Sequence, residues 1–221
     1  MSRSGPILVI DTSTHTSVVA VGLESPLSVS RREVRHRHGS HVLEQIDEVL
    51  TAAGLTLDDL IGLAVGTGPG SFTGLRVGLA TAKTLAYARS LPLVGIDSAV
   101  ALRLAGDLEG AAVVSPAGAR DHYLSRPDQE PQLIAPGQLA GAIGSEPVIA
   151  VDMPPEALGE EAARRGSAAV AAMPAALLRL ARERLAAGDS DDVAELVPVY
   201  VALPRGVKRA AEDLGWSPDL R

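Results

Sequence analysis

The run Gly66-Thr67-Gly68-Pro69-Gly70-Ser71 sits between an apolar segment and the start of an amphipathic one. Glycine-rich strand-to-helix turns can hold phosphate, because free N–H groups at a helix start favour an anion. A Walker loop would need a lysine and a following hydroxyl, and Phe72 follows Ser71 instead. The dinucleotide fingerprint fails as well: Gly66 and Gly68 fit, but Ser71 stands at the third position. Taken alone, the loop reads first as a tight turn, with phosphate contact as the alternative. Asp11-Thr12-Ser13 closes an earlier apolar run and supplies a second small polar turn.

Other chemistry is harder to assemble. The spacing His36-x-His38-x-x-His41 suits a metal, but Arg31, Arg32, Arg35 and Arg37 surround it and would repel a cation. That stretch reads as a solvated basic edge. Ser71 lies in Gly-Pro-Gly-Ser-Phe, not in the nucleophile elbow of a serine hydrolase. Asp11, Asp97 and Asp152 each follow a strand-like run, where aspartate serves catalysis and turns equally well. No catalytic set and no metal set emerges, and no cofactor is expected.

These residues need elements to position them. The run at 6–13 is rich in β-branched residues and reads as a buried strand. Strands are expected from Thr16 and from Pro26, then a helix from Ser40, its cap, to Gly54, its stop. A fourth strand leads into the glycine loop, a helix spans Phe72–Ala88, and a fifth strand follows at 91–97. The second half repeats this faintly. Three short strands, a weak helix, a strand at 146–152 and two helical stretches lead to 195–203, which reads as a last strand or an extended arm. Two successive βββαβα units make a duplicated α/β fold. The expected division is residues 1–102 and 103–221, with the option that the last segment, Gly206–Trp216, returns to the first part.

Bulk composition narrows the function. The chain has 221 residues, 46% hydrophobic and only 2% aromatic, so aliphatic packing must build its core. The absence of cysteine excludes disulfides and thiolate chemistry. No apolar run approaches the ~18 residues of a membrane span, and the first residues do not resemble a signal peptide, so a cytoplasmic location is expected. The net charge of −7 lacks the basic footprint that nucleic acid needs. Weak nucleic-acid binding by the chain alone at physiological salt is therefore predicted. Tight, salt-sensitive retention in a filter-binding assay would contradict it.

One feature of the second helix has two readings. Gly74, Gly78 and Ala82 are four residues apart and share a face. Each glycine inside a helix costs about 1 kcal/mol against alanine, so the pair asks for a reason. Either the face packs closely inside the chain, or it receives a helix of another subunit.

The string Gly66 to Gly78, with the Asp11 segment, the helix after His41 and the strand ending at Asp97, resembles the YeaZ-like TsaB family. The match runs over roughly residues 6–100, and the Pro-x-Tyr at Tyr200 agrees with it. The resemblance implies a ribonuclease H-like duplication of the acetate-kinase/Hsp70/actin (ASKHA) type. It implies a non-catalytic partner in threonylcarbamoyladenosine synthesis on tRNA, which dimerises with the catalytic paralogue TsaD and works beside the ATPase TsaE. Asp11, Thr12, Ser13, Gly68 and Gly70 would be vestigial phosphate loops. Val42, Ile46, Val49, Gly74, Leu75, Gly78 and Ala82 would meet TsaD in a four-helix bundle, or a second copy of the chain when TsaD is absent. In TsaD the strand matching 91–97 runs into a histidine-rich metal motif, whereas Asp97 to Leu102 here hold no histidine. The family's Asp-Ala-Arg stretch is replaced by Gly118-Ala119-Arg120, which removes that carboxylate or moves it to Asp121. The competing reading is an enzyme of the same fold, a kinase-like ATP-dependent protein or a glycopeptidase.

Overall fold

A computed structural model describes residues 5–33 and 41–201. In chain order the elements are β1 (Ile7–Asp11), β2 (Thr16–Gly22), β3 (Pro26–Glu33), α1 (His41–Ala53), β4 (Gly62–Gly68), α2 (Phe72–Arg89), β5 (Leu93–Asp97) and α3 (Ser98–Ala105). The second half adds β6 (Ala112–Ala117), β7 (Asp121–Ser125), β8 (Gln132–Ile134), α4 (Leu139–Ile143), β9 (Val148–Ala150), α5 (Pro155–Leu158) and α6 (Glu160–Ala186). The expected helix cap Ser40, His36, His38 and the Gly206–Trp216 segment lie outside the described residues.

The first sheet has the order β3-β2-β1-β4-β5 and the second β8-β7-β6-β9. In each, two antiparallel pairs meet a parallel one: β1 pairs with β4, and β6 with β9. The second sheet thus repeats the first without its last strand. Strand periodicity explains why helices cover both faces of the first sheet. Leu8, Ile10, Leu63 and Val65 pack under α1 and α2. Ile7, Val9, Ala64, Val94 and Ile96 face the opposite way, into a core with α3 and α6. That core also takes Val113 and Ile149 of the second sheet, so α3 and α6 lie between the two sheets. The expected division between residues 102 and 103 falls inside α3.

Two helical stretches were expected after Asp152, and the structure has short α5 followed by one 27-residue helix, α6, with Pro174 inside it. Proline removes one helical hydrogen bond and crowds the preceding turn, at about 3 kcal/mol. Burial of Ala169, Met173, Leu177, Leu178 and Ala181 carries the helix through. The Arg31 guanidinium donates to the Ala171 carbonyl at 2.5 Å, next to the interrupted turn. Of the basic edge, Arg31 and Arg32 lie among the described residues, and Arg31 makes this bond while remaining exposed. Arg32 is also engaged, with Glu44 at 2.7 Å and with Glu48, because the acidic flank of α1 runs beside β3.

The segment after α6 is an extended arm. The Asp191 amide donates to the Leu93 carbonyl at 2.8 Å, and the Asp191 carboxylate accepts from the Gly95 amide at 2.6 Å. Arg184 donates to the Gly95 carbonyl at 2.7 Å. The open edge of β5 is thereby covered, which blunts pairing with other chains. Further on, Lys83 donates to the carbonyls of Ala194 and Leu196, and the Val199 amide donates to the Thr67 carbonyl at 2.8 Å. Among the described residues no helix is long and apolar enough to cross a membrane.

Candidate functional site

The parallel pairing of β1 with β4 brings the two polar turns together at one end of the first sheet. Asp11 is fully buried there. One carboxylate oxygen accepts from the Ser13 amide at 2.8 Å and the Ser13 hydroxyl at 2.6 Å. The other accepts from the Ser98 hydroxyl at 2.6 Å, and Ser98 in turn accepts from the Gly68 amide at 3.1 Å. Gly66 is required at this point: a Cβ would lie 1.8 Å from the Asp11 carboxylate. Burial pushes the Asp11 carboxyl above its ordinary value, against the hydrogen bonds from Ser13 and Ser98.

The turns are bonded directly to each other. The Ser71 amide donates to the Ser13 carbonyl at 2.7 Å, and the Thr12 hydroxyl donates to the Gly74 carbonyl at 2.7 Å. A Cβ on Gly70 would come within 2.2 Å of the Ser13 carbonyl oxygen. Ser71 caps α2 by accepting from the Gly74 amide at 3.2 Å. The expected set Asp11, Thr12, Ser13, Gly68 and Gly70 is thus brought together, and its donors at Gly68, Ser71 and Gly74 are taken by the chain itself. Of the other aspartates, Asp97 is a helix cap, accepting from the amides of Ala99 and Val100 at 2.7 and 3.0 Å.

Asp152 has a different place. It follows β9 and accepts from the His15 amide at 2.6 Å, with the His15 ring nitrogen at 3.8 Å. It therefore ties the second sheet to the β1–β2 turn, across a cleft of about 260 Å3 that Ser13, Ser71, Phe72 and Tyr123 also line. No local spacing signals this pair, because 137 residues separate its members. Burial raises the Asp152 pKa above the ordinary 3.8, the His15 amide and ring oppose the rise, and Glu33 adds to it. A raised aspartate contributes stability that is present below about pH 4 and lost as pH rises through the folded-state value. Asp152→Asn keeps the acceptor without the charge. Its melting temperature should gain on that of the parent chain as pH rises from about 4 to 7. Parallel curves in a thermal-melt series across that range would contradict this role.

The expected partner-facing residues need correction. Val42, Ile46, Val49 and Ala82 are buried in the chain's own core, with Leu79 and Leu63. Leu75 is buried as well. Gly74 and Gly78 face inward onto Thr12: a Cβ would lie 2.1 Å from its carbonyl oxygen and 2.3 Å from its hydroxyl, respectively. The glycine stripe admits a turn of the same chain, not a foreign helix. The outward faces of these helices carry different residues. Leu43 on α1 is 61% exposed and Tyr87 on α2 is 85% exposed. Phe72 is also exposed, with Arg76 stacked on its ring and the Tyr200 ring 5.6 Å away. Of these, the Pro-x-Tyr at Tyr200 was singled out for the family resemblance, while Phe72 entered the sequence reading only as the first residue of a helix and Leu43 as one of the apolar positions of another. An exposed apolar residue at helical spacing looks like any other core residue until the buried face is known.

Comparison with known proteins places this arrangement. The family model described as "TsaD: tRNA N6-adenosine threonylcarbamoyltransferase" matches residues 29–197. The chain is a TsaB/YeaZ-like member of that family. The tRNA threonylcarbamoyladenosine biosynthesis protein TsaB of Escherichia coli is 36% identical over 92 residues, which are 42% of this chain and 40% of that protein. The match thus spans about two fifths of that curated relative. An uncharacterized protein of Mycobacterium tuberculosis is 31% identical over 156 residues, 68% of this chain and 72% of that one. The solved structure of YeaZ from Pseudomonas aeruginosa superposes with a TM-score of 0.66 at 21% identity, over 89% of this chain and 99% of that one. At that identity the superposition speaks to fold alone. The TsaB/YeaZ-like chain has the duplicated ASKHA architecture, with the cleft at Asp152 lying between its two repeats.

Proposed function

We propose that this TsaB/YeaZ-like chain is a non-catalytic accessory subunit in the synthesis of N6-threonylcarbamoyladenosine on tRNA, and that it acts by docking on a TsaD-type catalytic subunit. One observation supports the non-catalytic part above others. The Ser71 amide, at the start of α2 where a phosphate would bind, is bonded to the Ser13 carbonyl at 2.7 Å. An incoming phosphate would have to break that bond and meet a backbone carbonyl oxygen, which repels it. The strand end at Asp97 also caps a helix and carries no histidine. TsaE joins the larger complex, tRNA meets this chain only within it, and a second copy of the chain takes the docking face when TsaD is absent.

The docking face is the outer side of α1 and α2 with the arm, where Leu43, Phe72, Tyr87 and Tyr200 are exposed. Aromatic residues of this kind dominate protein interfaces. Tyr87→Asp should leave stability within about 0.5 kcal/mol, as surface changes do, and weaken TsaD binding roughly tenfold or more. The deciding experiment combines the purified chain with TsaD and TsaE from the same source, ATP, threonylcarbamoyl donor and tRNA. Modified adenosine should appear only with TsaD present and should rise when this chain is added. Steady ATP turnover by the chain alone, abolished by a point change in it, would favour the kinase-like reading instead.

A further inference from the structure

Arg103 on α3 is only 7% exposed. A guanidinium carries five N–H donors in a rigid fork, and a buried cation normally meets carboxylates or several carbonyls. Among the described residues Arg103 makes one hydrogen bond, to the Ser125 carbonyl at 3.3 Å, and no ion pair. Burial holds its pKa below the ordinary value, while Asp97 and Asp128 act on it through space in the opposite sense. Its charge is therefore poorly met among the described residues.

The side chain lines a cavity of about 310 Å3 between α3, α6 and the turn after β7. Two carboxylates, Glu109 and Asp128, stand at its exposed rim; Asp128 acts on Arg103 through space, and neither makes a hydrogen bond or ion pair among the described residues. Arg179 and Glu183 also line it, but they pair with each other at 3.0 Å and contribute little net charge. Val100, Leu104, Pro127 and Leu180 give it apolar walls. The remaining charges are one buried cation and two rim carboxylates.

That pattern selects a ligand class. A phosphate dianion would suit Arg103 and be repelled at the rim. An organic cation would suit the rim and be repelled by Arg103. A molecule with one carboxylate and one ammonium satisfies both ends, and the apolar walls take a hydrocarbon side chain. The volume is at the lower limit of small-molecule pockets, about 300 Å3, and suits a single residue-sized ligand. We infer that this cavity binds a free α-amino acid with an aliphatic side chain, its carboxylate on Arg103 and its ammonium towards Asp128 and Glu109. The site is remote from the α1–α2 docking face, and the inference holds or fails independently of the proposed function.

Calorimetric titration of the full chain with L-leucine tests it, with two analogues as controls. N-acetyl-L-leucine lacks the ammonium and L-leucinamide lacks the carboxylate. Leucine should bind saturably, and each analogue about tenfold more weakly or worse, the loss of one charge-assisted contact. Arg103→Gln should abolish binding. Because that change also touches the interior, the exposed Asp128→Asn serves as the second variant and should weaken leucine several-fold with an unchanged melting temperature. Absence of saturable leucine binding at tens of millimolar would overturn the inference. So would equal binding of N-acetyl-L-leucine, or an Asp128→Asn variant that binds leucine normally.

Discussion

Gly166→Ala is expected to lower the melting temperature by several degrees, although alanine is the better helix former. Gly166 lies where α6 crosses β9, and a Cβ there would stand 1.8 Å from the Ala150 carbonyl oxygen and 2.5 Å from its carbon. The propensity gain is about 1 kcal/mol. The obstacle is backbone, so no side chain can turn aside. The strand is pinned just beyond, where the Val151 amide donates to the Val114 carbonyl at 2.8 Å. The helix must move, and Ala169, Met173 and Leu177 would move with it out of the core they share with both sheets. Overpacking of this kind costs about 1–3 kcal/mol, and a displaced helix reaches the upper end or beyond. For a chain of this size each kcal/mol is worth roughly 2–4 °C. Thermal denaturation reads the outcome directly. An unchanged or higher midpoint would mean that α6 slides along β9 without loss.

Gly78→Leu should also destabilise the chain, and this separates the two readings of the glycine stripe. The first carbon alone would lie 2.3 Å from the Thr12 hydroxyl, which is fixed by its bond to the Gly74 carbonyl at 2.7 Å. The rest of the side chain has to push α2 away from the β1–β2 turn. A loss of about 1–3 kcal/mol is expected, which outweighs leucine's gain in helix propensity of up to ~1 kcal/mol. Affinity for TsaD should be nearly unchanged in protein that remains folded, since the outer face with Tyr87 is untouched. Melting temperature and TsaD binding of the same variant provide the check. A normal melting temperature with lost binding would return the stripe to the outside of the molecule.

The stripe shows where sequence reasoning stopped. Spacing places Gly74, Gly78 and Ala82 on one face, but not which way that face points. What lies across it is Thr12, whose hydroxyl bridges 62 residues to Gly74. The strands at 6–13 and 91–97 were legible because their apolar runs are long enough to be buried on both faces. The repeat was legible because its two halves share an order of elements. The stretch 167–172, small and alanine-rich, gave no clear periodicity and left two helices where burial of Ala169 and its neighbours makes one. Arg103 drew no notice, because its stretch read as the boundary between the two halves and not as a helix. Only the second sheet, packed over α3, takes it out of water. The Asp152–His15 contact was equally silent, because each member is a common turn residue on its own.

The route of the chain after α6 bears on how it is made. β1 begins at Ile7, yet the helix that covers its far face begins at Glu160, and the residue that closes the neighbouring β5 edge is Asp191. During synthesis α3 can cover part of that face early, but the rest of the first sheet's far face must wait for α6. Contacts between segments so far apart in sequence form slowly. A chain terminated before Asp191 would keep a bare β5 edge, open to pairing with a neighbouring copy and so to aggregation. The first hundred residues, which carry the motifs legible in the sequence, are not a unit that can be cut out and expected to fold.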